Sequence, residues 1–211
     1  MTVETAAPER LSIDGPAGPL EAIAEDLKLP GDGYAVICHP HPLHGGTMDN
    51  KVVFTLARAF RENRIPTLRF NFRGVGSSAG TFDHGNGETA DAGAVASYGA
   101  LRWPGRPLLL AGFSFGAFVA LRLALERGAS RLITVAPPVD RMDFSALAAP
   151  NCPWLLVQGD KDEVVDPRRV CAWARSCTPQ PTLLIMPGVG HFFHGHLPLL
   201  RDALVDAIRG G

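Results

Sequence analysis

The sequence predicts an α/β fold: a mainly parallel sheet covered by helices on both faces, with an antiparallel start. Three observations carry that expectation. From residue 34 onward, short continuously apolar runs alternate with longer amphipathic segments. The runs lack in–out alternation, as strands buried on both faces do. Finally, the apolar run at 107–111 leads into Gly-Phe-Ser-Phe-Gly at 112–116, which in turn opens an amphipathic stretch, the pattern of a sharp strand-to-helix turn.

Taken in order, the candidate strands are 34–38 (YAVIC), 66–72 (PTLRFNF), 107–113 (PLLLAGF), 131–136 (RLITVA), 154–158 (WLLVQ) and 182–186 (TLLIM). Helical patterns lie near 51–63, 88–102, 115–127, 166–177 and 197–209. Asp166-Pro167 supplies an N-cap followed by proline at the first helical position, and Gly128 and Gly210 suit helix ends. The first thirty residues read differently. Runs at 9–14 and 19–27, separated by Gly-Pro-Ala-Gly-Pro, predict a hairpin at the sheet edge. No repeat or linker divides the chain, so one domain is expected over 1–211, with residues 1–8 as a flexible tail.

Composition narrows the function classes. Of 211 residues, 46% are hydrophobic and 19% charged, which marks a core-forming chain. The net charge of −1 gives no broad attraction to nucleic acid or anionic lipid, so neither is expected as a partner. The uncharged stretch 108–121 is too short to span a bilayer, which needs about 20 apolar residues. The opening decapeptide carries acids and no apolar run, unlike a secretory signal. Four cysteines show no CxxC pair. On a helix, Cys171 and Cys177 would stand about 9 Å apart along the axis, too far for a disulfide. Reduced thiols in the cytoplasm are expected.

In a parallel α/β sheet, ligands gather at the carboxyl ends of the strands, and chemistry-bearing residues concentrate there. Gly112-Phe113-Ser114-Phe115-Gly116 is informative because it joins a strand to a helix. The glycines remove side chains that would collide at the turn, and the serine hydroxyl is exposed on a strained backbone. The amides that follow open a helix and favour negative charge. A serine nucleophile needs a base and an orienting acid. The loop after 154–158 offers Asp160, Asp162 and Asp166; the loop after 182–186 offers His191, His194 and His196. Asp166 is accounted for as a helix cap. His191 follows Gly-Val-Gly, a turn that lets the ring swing over Ser114, and its imidazole can act as base and then acid. An oxyanion hole needs two amides. Phe115 offers one. In the loop after 34–38, Pro40 and Pro42 have no N–H, so the second comes from His41 or Leu43.

With these stretches in place, the chain resembles the α/β-hydrolases, in particular the compact lidless serine esterases related to the dienelactone hydrolases. The resemblance runs from about residue 10 onward and rests on ICHPHPLHGG (37–46), LRFNFRGVGSSAG (68–80), GFSFG (112–116), QGDKDEVVDP (158–167) and GVGHFFHG (188–195). It departs from the dienelactone hydrolases themselves at Ser114, where they use cysteine. The order Ser, acid, His is that of the α/β-hydrolases. The resemblance implies that Asp162, three residues after Gly159, is the acid, with Asp160 as the competitor. It also implies that His41 supplies the second oxyanion amide and that Arg73 belongs to a structural turn. Leu43 and Phe192 are expected to contact the substrate, Phe192 with Phe193 as an apolar acyl-site rim beside His191. The expected activity is a cofactor-free carboxylesterase acting on small soluble or short-acyl esters. The connection 137–153 is too short for a large lid, so the site should be open.

Two other classes compete. His39, His41 and His44, with His191, His194 and His196, suggest a metal-dependent hydrolase with imidazole ligands. That reading lacks HExxH and leaves GxSxG unexplained. A non-catalytic binding protein on the same fold is the third.

Overall fold

The computed structural model describes residues 7–27 and 31–210; most of the expected tail, residues 1–6, lies outside them. Eight strands form one sheet in the order β1-β2-β4-β3-β5-β6-β7-β8. They are β1 (Glu9–Gly15), β2 (Gly18–Glu25), β3 (Tyr34–Cys38), β4 (Thr67–Phe70), β5 (Leu108–Phe113), β6 (Arg131–Val135), β7 (Trp154–Gly159) and β8 (Thr182–Met186). From β4 to β8 every pairing is parallel, whereas β2 runs antiparallel to both β1 and β4. The hairpin closes at Gly15↔Gly18 and pairs buried Ile13 with buried Leu20. The helices are α1 (Lys51–Glu62), α2 (Asn86–Arg102), α3 (Phe115–Arg127), α4 (Pro167–Ser176) and α5 (Leu197–Arg209), with a 3₁₀ turn at Pro42–His44.

The period-two pleat explains why the runs are apolar throughout. Tyr34, Val36 and Cys38 of β3 enter a core shared with α2, α3 and α4, while Ala35 and Ile37 enter the opposite core, shared with α1 and α5. The same split divides Leu132 from Ile133 on β6, and Leu156 from Leu155 and Val157 on β7. Fully burying side chains of this size contributes ~1.5–3 kcal/mol each.

Helix limits follow the expectation where caps are explicit. Asp166 accepts from the Arg168 amide at 2.9 Å ahead of Pro167, and Asn50 accepts from the Val52 amide at 2.8 Å. Helix α2 starts two residues earlier than expected. Buried Glu88 reaches back to accept from the amides of Asp83 (2.8 Å) and Gly85 (2.7 Å), and Gly85 takes φ 97° as the cap. That satisfies amides of the helix start which otherwise lack partners.

Topology creates a crevice between β3 and β5. They are adjacent and parallel, with Cys38 opposite Gly112. The chain leaves β3 for α1 on one face and leaves β5 for α3 on the other. The two loops therefore part, as at the switch points where open α/β sheets bind ligands. Between β6 and β7 the chain runs through turns without a helix or strand, and among the described residues no lid covers the crevice. Among the described residues no helix is long and apolar enough to cross a membrane.

Two buried polar anchors hold the strand ends. Arg73 grips fully buried Asp91 in a fork, Nε to Oδ2 at 3.0 Å and Nη2 to Oδ1 at 2.7 Å, and the Arg73 amide also donates to Oδ2. This fixes the turn after β4 onto α2, the structural role expected of Arg73. His39, fully buried, accepts the Phe72 amide on Nε2 (3.0 Å) and donates from Nδ1 to the Pro40 carbonyl (2.7 Å). It thereby ties the loop after β3 to the chain leaving β4. Burial pushes its pKa down to about 3, against the opposing pull of the Pro40 carbonyl.

Replacing Asp91 by Ala strands the Arg73 cation and should cost about 3–5 kcal/mol, read as a lowered urea midpoint; a loss below about 1 kcal/mol would contradict the anchor. For His39 the sign follows from its depressed pKa. Below its ordinary value near 6.5 the unfolded chain takes up a proton that the native chain refuses, so stability falls as pH drops toward 3. The slope is ~1.4 kcal/mol per pH unit for this one proton. Denaturant titrations of wild type and His39→Gln between pH 7 and 4 should differ in slope by about one proton; equal slopes would refute it.

Candidate active site

The site grows from the turn between β5 and α3. Ser114 sits at φ 53° and ψ −121°, a conformation costing about 1–3 kcal/mol that must be held by its surroundings. Its amide donates to the Val135 carbonyl of β6 at 2.8 Å, and its carbonyl accepts from Ala117 at 2.8 Å. A Cβ on Gly112 would collide with the Gly116 carbonyl, and one on Gly116 with the Cys38 carbonyl of β3. The pentapeptide therefore needs both glycines for close backbone approach.

Asp162 and His191 arrive in the loops that follow β7 and β8. Parallel pairing of Gly159 with Met186 continues beyond the sheet: the Asp160 amide donates to Met186 (3.1 Å) and the Lys161 amide to Val189 (3.0 Å). Asp160 spends its carboxylate on the Gly188 amide at 2.7 Å, within this loop splice. Asp162 lies one turn deeper. Its Oδ1 accepts from the amides of Val164 (2.9 Å) and Val165 (2.8 Å), and its Oδ2 from Gln158 Nε2 (2.9 Å) and His191 Nδ1 (2.8 Å). Burial works to raise its pKa, but the bonds from His191, Val165 and Val164 together hold it below the ordinary carboxylate value. An ionised carboxylate only accepts, so Nδ1 of His191 carries the ring proton and Nε2 is free to accept. Ser114 Oγ stands 3.1 Å from that Nε2. The His191 ring is buried and packs on Phe113 (5.1 Å between centroids) and Phe192 (5.0 Å, edge-on).

Facing Ser114 is the loop after β3. The Leu43 amide donates to the His41 ring at Nδ1 (3.2 Å). The His41 carbonyl accepts from His44 (3.1 Å) and Gly46 (3.0 Å), and among the described residues its own amide has no protein acceptor. The Phe115 amide, at the first position of α3, has none either. The His41 ring packs on Phe115 (5.0 Å) and Phe82 (4.9 Å); burial first, then His44 and His84, lower its pKa. A cavity of about 230 Å³ adjoins Ser114, lined by His41, His44, Phe115, Pro138, Arg141, Met142, Val164 and Val165. Leu43 and Phe192, expected to contact the substrate, do not line it. The 3₁₀ turn throws Leu43 outward, 69% exposed, and Phe192 lies against the His191 ring.

The six clustered histidines do not converge. His39 spends both nitrogens inside the core, His41 and His44 pack against each other with tilted rings (4.6 Å), His191 faces Asp162 and Ser114, and His196 pairs with the His194 carbonyl (2.8 Å). Among the described residues, no three His, Cys, Asp or Glu side chains are gathered to hold a metal ion. Sequence reasoning passes over Gln158, Glu163 and Arg141. Gln158 donates to Asp162 while its Oε1 is buried without a partner, which fixes the amide orientation, since a flip would set oxygen against carboxylate. Glu163 accepts the His191 backbone amide at 3.1 Å. A polar residue ending the apolar run WLLVQ was the available signal for Gln158.

Comparison with known proteins agrees with this architecture. A model of the alpha/beta hydrolase family matches residues 36–151. A crystal structure from Xanthomonas campestris, described as an α/β serine hydrolase without lid, is 46% identical, with 99% of this chain and 97% of that one covered at a TM-score of 0.90. An α/β serine hydrolase homologue from Coxiella burnetii is 45% identical, with 97% and 98% covered and a TM-score of 0.91. An uncharacterised protein of Rickettsia prowazekii is 36% identical over 207 residues, 93% of this chain and 87% of its own. The chain belongs to the α/β-hydrolase family.

Proposed function

We propose that the chain is a carboxylesterase that cleaves small soluble or short-acyl esters through an acyl-enzyme on Ser114. In this reading Ser114 Oγ attacks the ester carbonyl as His191 Nε2 takes its proton. Asp162 holds the ring in the Nδ1–H tautomer and stabilises the imidazolium. The amides of Phe115 and His41 receive the oxyanion, each such donor being worth about 10²–10³ in rate. Leu43 is the weaker candidate for the second donor, because its amide is already committed to the His41 ring. The protonated His191 then gives its proton to the leaving alcohol. Water, deprotonated by the same ring, releases the acid and restores Ser114. The scheme uses no cofactor, and its partner is a small ester; a cytoplasmic location accords with the four free thiols.

The observation that carries the reading is the continuous line Asp162–His191–Ser114, at 2.8 and 3.1 Å, ending on a serine with strained backbone beside two uncommitted amides. The open cavity and the absence of a lid favour short acyl groups over long chains.

A small neutral fluorophosphonate tests it without knowledge of the substrate. Intact mass should show one phosphonyl adduct on the wild type and none on Ser114→Ala; an unreactive folded wild type would overturn the reading. Asp162→Asn should lower turnover of a short aryl ester by about 10²–10⁴, whereas Asp160→Asn should cost little. The reverse ranking would transfer the acid role to Asp160.

A further inference from the structure

The rim of the cavity beside Ser114 carries an exposed cation, Arg141, that the proposed ester chemistry does not use. Arg141 comes from the connection between β6 and β7, and its Nε donates to the Val164 carbonyl at 2.9 Å. That bond anchors the guanidinium to the loop carrying Asp162. Among the described residues no carboxylate pairs with Arg141, and its two terminal nitrogens donate to nothing in the protein. Its chain neighbour Asp140 faces the other way. That carboxylate accepts from the Asp166 amide at 3.5 Å and lines a separate, acid-walled cavity with Asp160, Glu163 and Asp166. The acids of this region are thus on the far side of Val164, and the cavity beside Ser114 has no acidic wall.

The cavity also has a defined side. A leaving alcohol must lie within reach of His191 Nε2 to take its proton, yet His191 does not line this cavity. The space bounded by Pro138, Met142, Val164 and Val165 opens from Ser114 on the side of His41 and Phe115, and the acyl part of an ester on Ser114 can extend into it. At about 230 Å³ it holds roughly eight water-sized groups, a short chain with a polar end. A guanidinium with free paired N–H groups is matched by a carboxylate, which it binds through two parallel hydrogen bonds.

We propose that Arg141 is a specificity-determining residue that binds a carboxylate at the far end of the acyl group, so that the preferred substrates are half-esters of short dicarboxylic acids. This rests on the carboxylesterase reading for its chemistry, while the anion subsite rests on the cavity itself.

The test compares 4-nitrophenyl hydrogen glutarate with its methyl-capped neutral twin, at fixed ionic strength, in wild type, Arg141→Met and Arg141→Lys. The ratio of the two kcat/KM values is the readout, because any disturbance of the Asp162 loop affects both esters alike. Wild type should favour the anionic ester roughly 10–100-fold. Arg141→Met should bring the ratio to about one or below, and Arg141→Lys should recover part of it. A wild-type ratio near one, or a preference that survives Arg141→Met, overturns the proposal. Calorimetric binding of glutarate to Ser114→Ala, with and without Arg141→Met, separates the two readings. If neither ester turns over and no fluorophosphonate adduct forms, Arg141-dependent glutarate binding would leave the subsite standing and the esterase reading refuted. Binding that is absent, or indifferent to Arg141, overturns the subsite.

Discussion

Ser114 keeps its positive φ because backbone closes in on it from three strands. The amide is fastened to Val135 on β6, Gly116 is pressed against the Cys38 carbonyl of β3, and the peptide itself ends β5. Neither the Val135 nor the Cys38 contact is local in sequence. The strain, on the order of 1–3 kcal/mol, is sustained by a sheet whose central strands are buried on both faces. The same confinement directs the hydroxyl and the Phe115 amide into one crevice. It places them opposite the β3 loop, because β3 and β5 are paired with Cys38 level with Gly112. The site's geometry is thus a property of strand register, and the side chains fill positions that the register has created.

Electrostatics follow from that placement. Asp162 is buried, which alone would favour its neutral form, yet four donors converge on its two oxygens. Two are amides of the turn that follows it, and one comes from Gln158 on the strand before it. The carboxylate is therefore ionised before any substrate arrives, and the tautomer of His191 is set by it. Glu163 acts on the backbone of the same histidine, holding the loop while Asp162 holds the ring. Neighbouring acids in one short loop thus have separable tasks: Asp160 splices two loops, Asp162 meets the imidazole, Glu163 fixes the peptide, and Asp166 caps α4.

Much of this was legible in the residues. The apolar runs gave the strands, GFSFG gave the turn, and Asp166-Pro167 gave a helix start, because each is a local rule obeyed locally. The division of labour between Asp160 and Asp162 came from family resemblance, since residues two apart differ only in how the splice with β8 turns them. Leu43 and Phe192, expected to contact the substrate, lie outside the cavity beside Ser114, since a 3₁₀ turn carries Leu43 outward and Phe192 lies against the His191 ring. Helix α2 began early because Glu88 caps backward, a pairing that needs the folded Asp83–Gly85 turn. Arg141 gave no signal, because it lies in a segment without periodicity, and only tertiary structure brings it to Ser114.

The absence of a lid bears on how such a site treats charge. A lid would exclude water and strengthen every polar interaction beneath it. Here the crevice stays open, so polar groups must be organised by their own bonds before the substrate binds. The two prolines around His41 and the ring bond to Leu43 do this for one wall, and the Arg141–Val164 bond does it for the other. In an open site a mobile cation would be screened and would lose rotamer freedom on binding. One already tied by Nε to the Val164 carbonyl loses less of that freedom. The short connection 137–153 does not cover the site, but it supplies the wall on which specificity can be built.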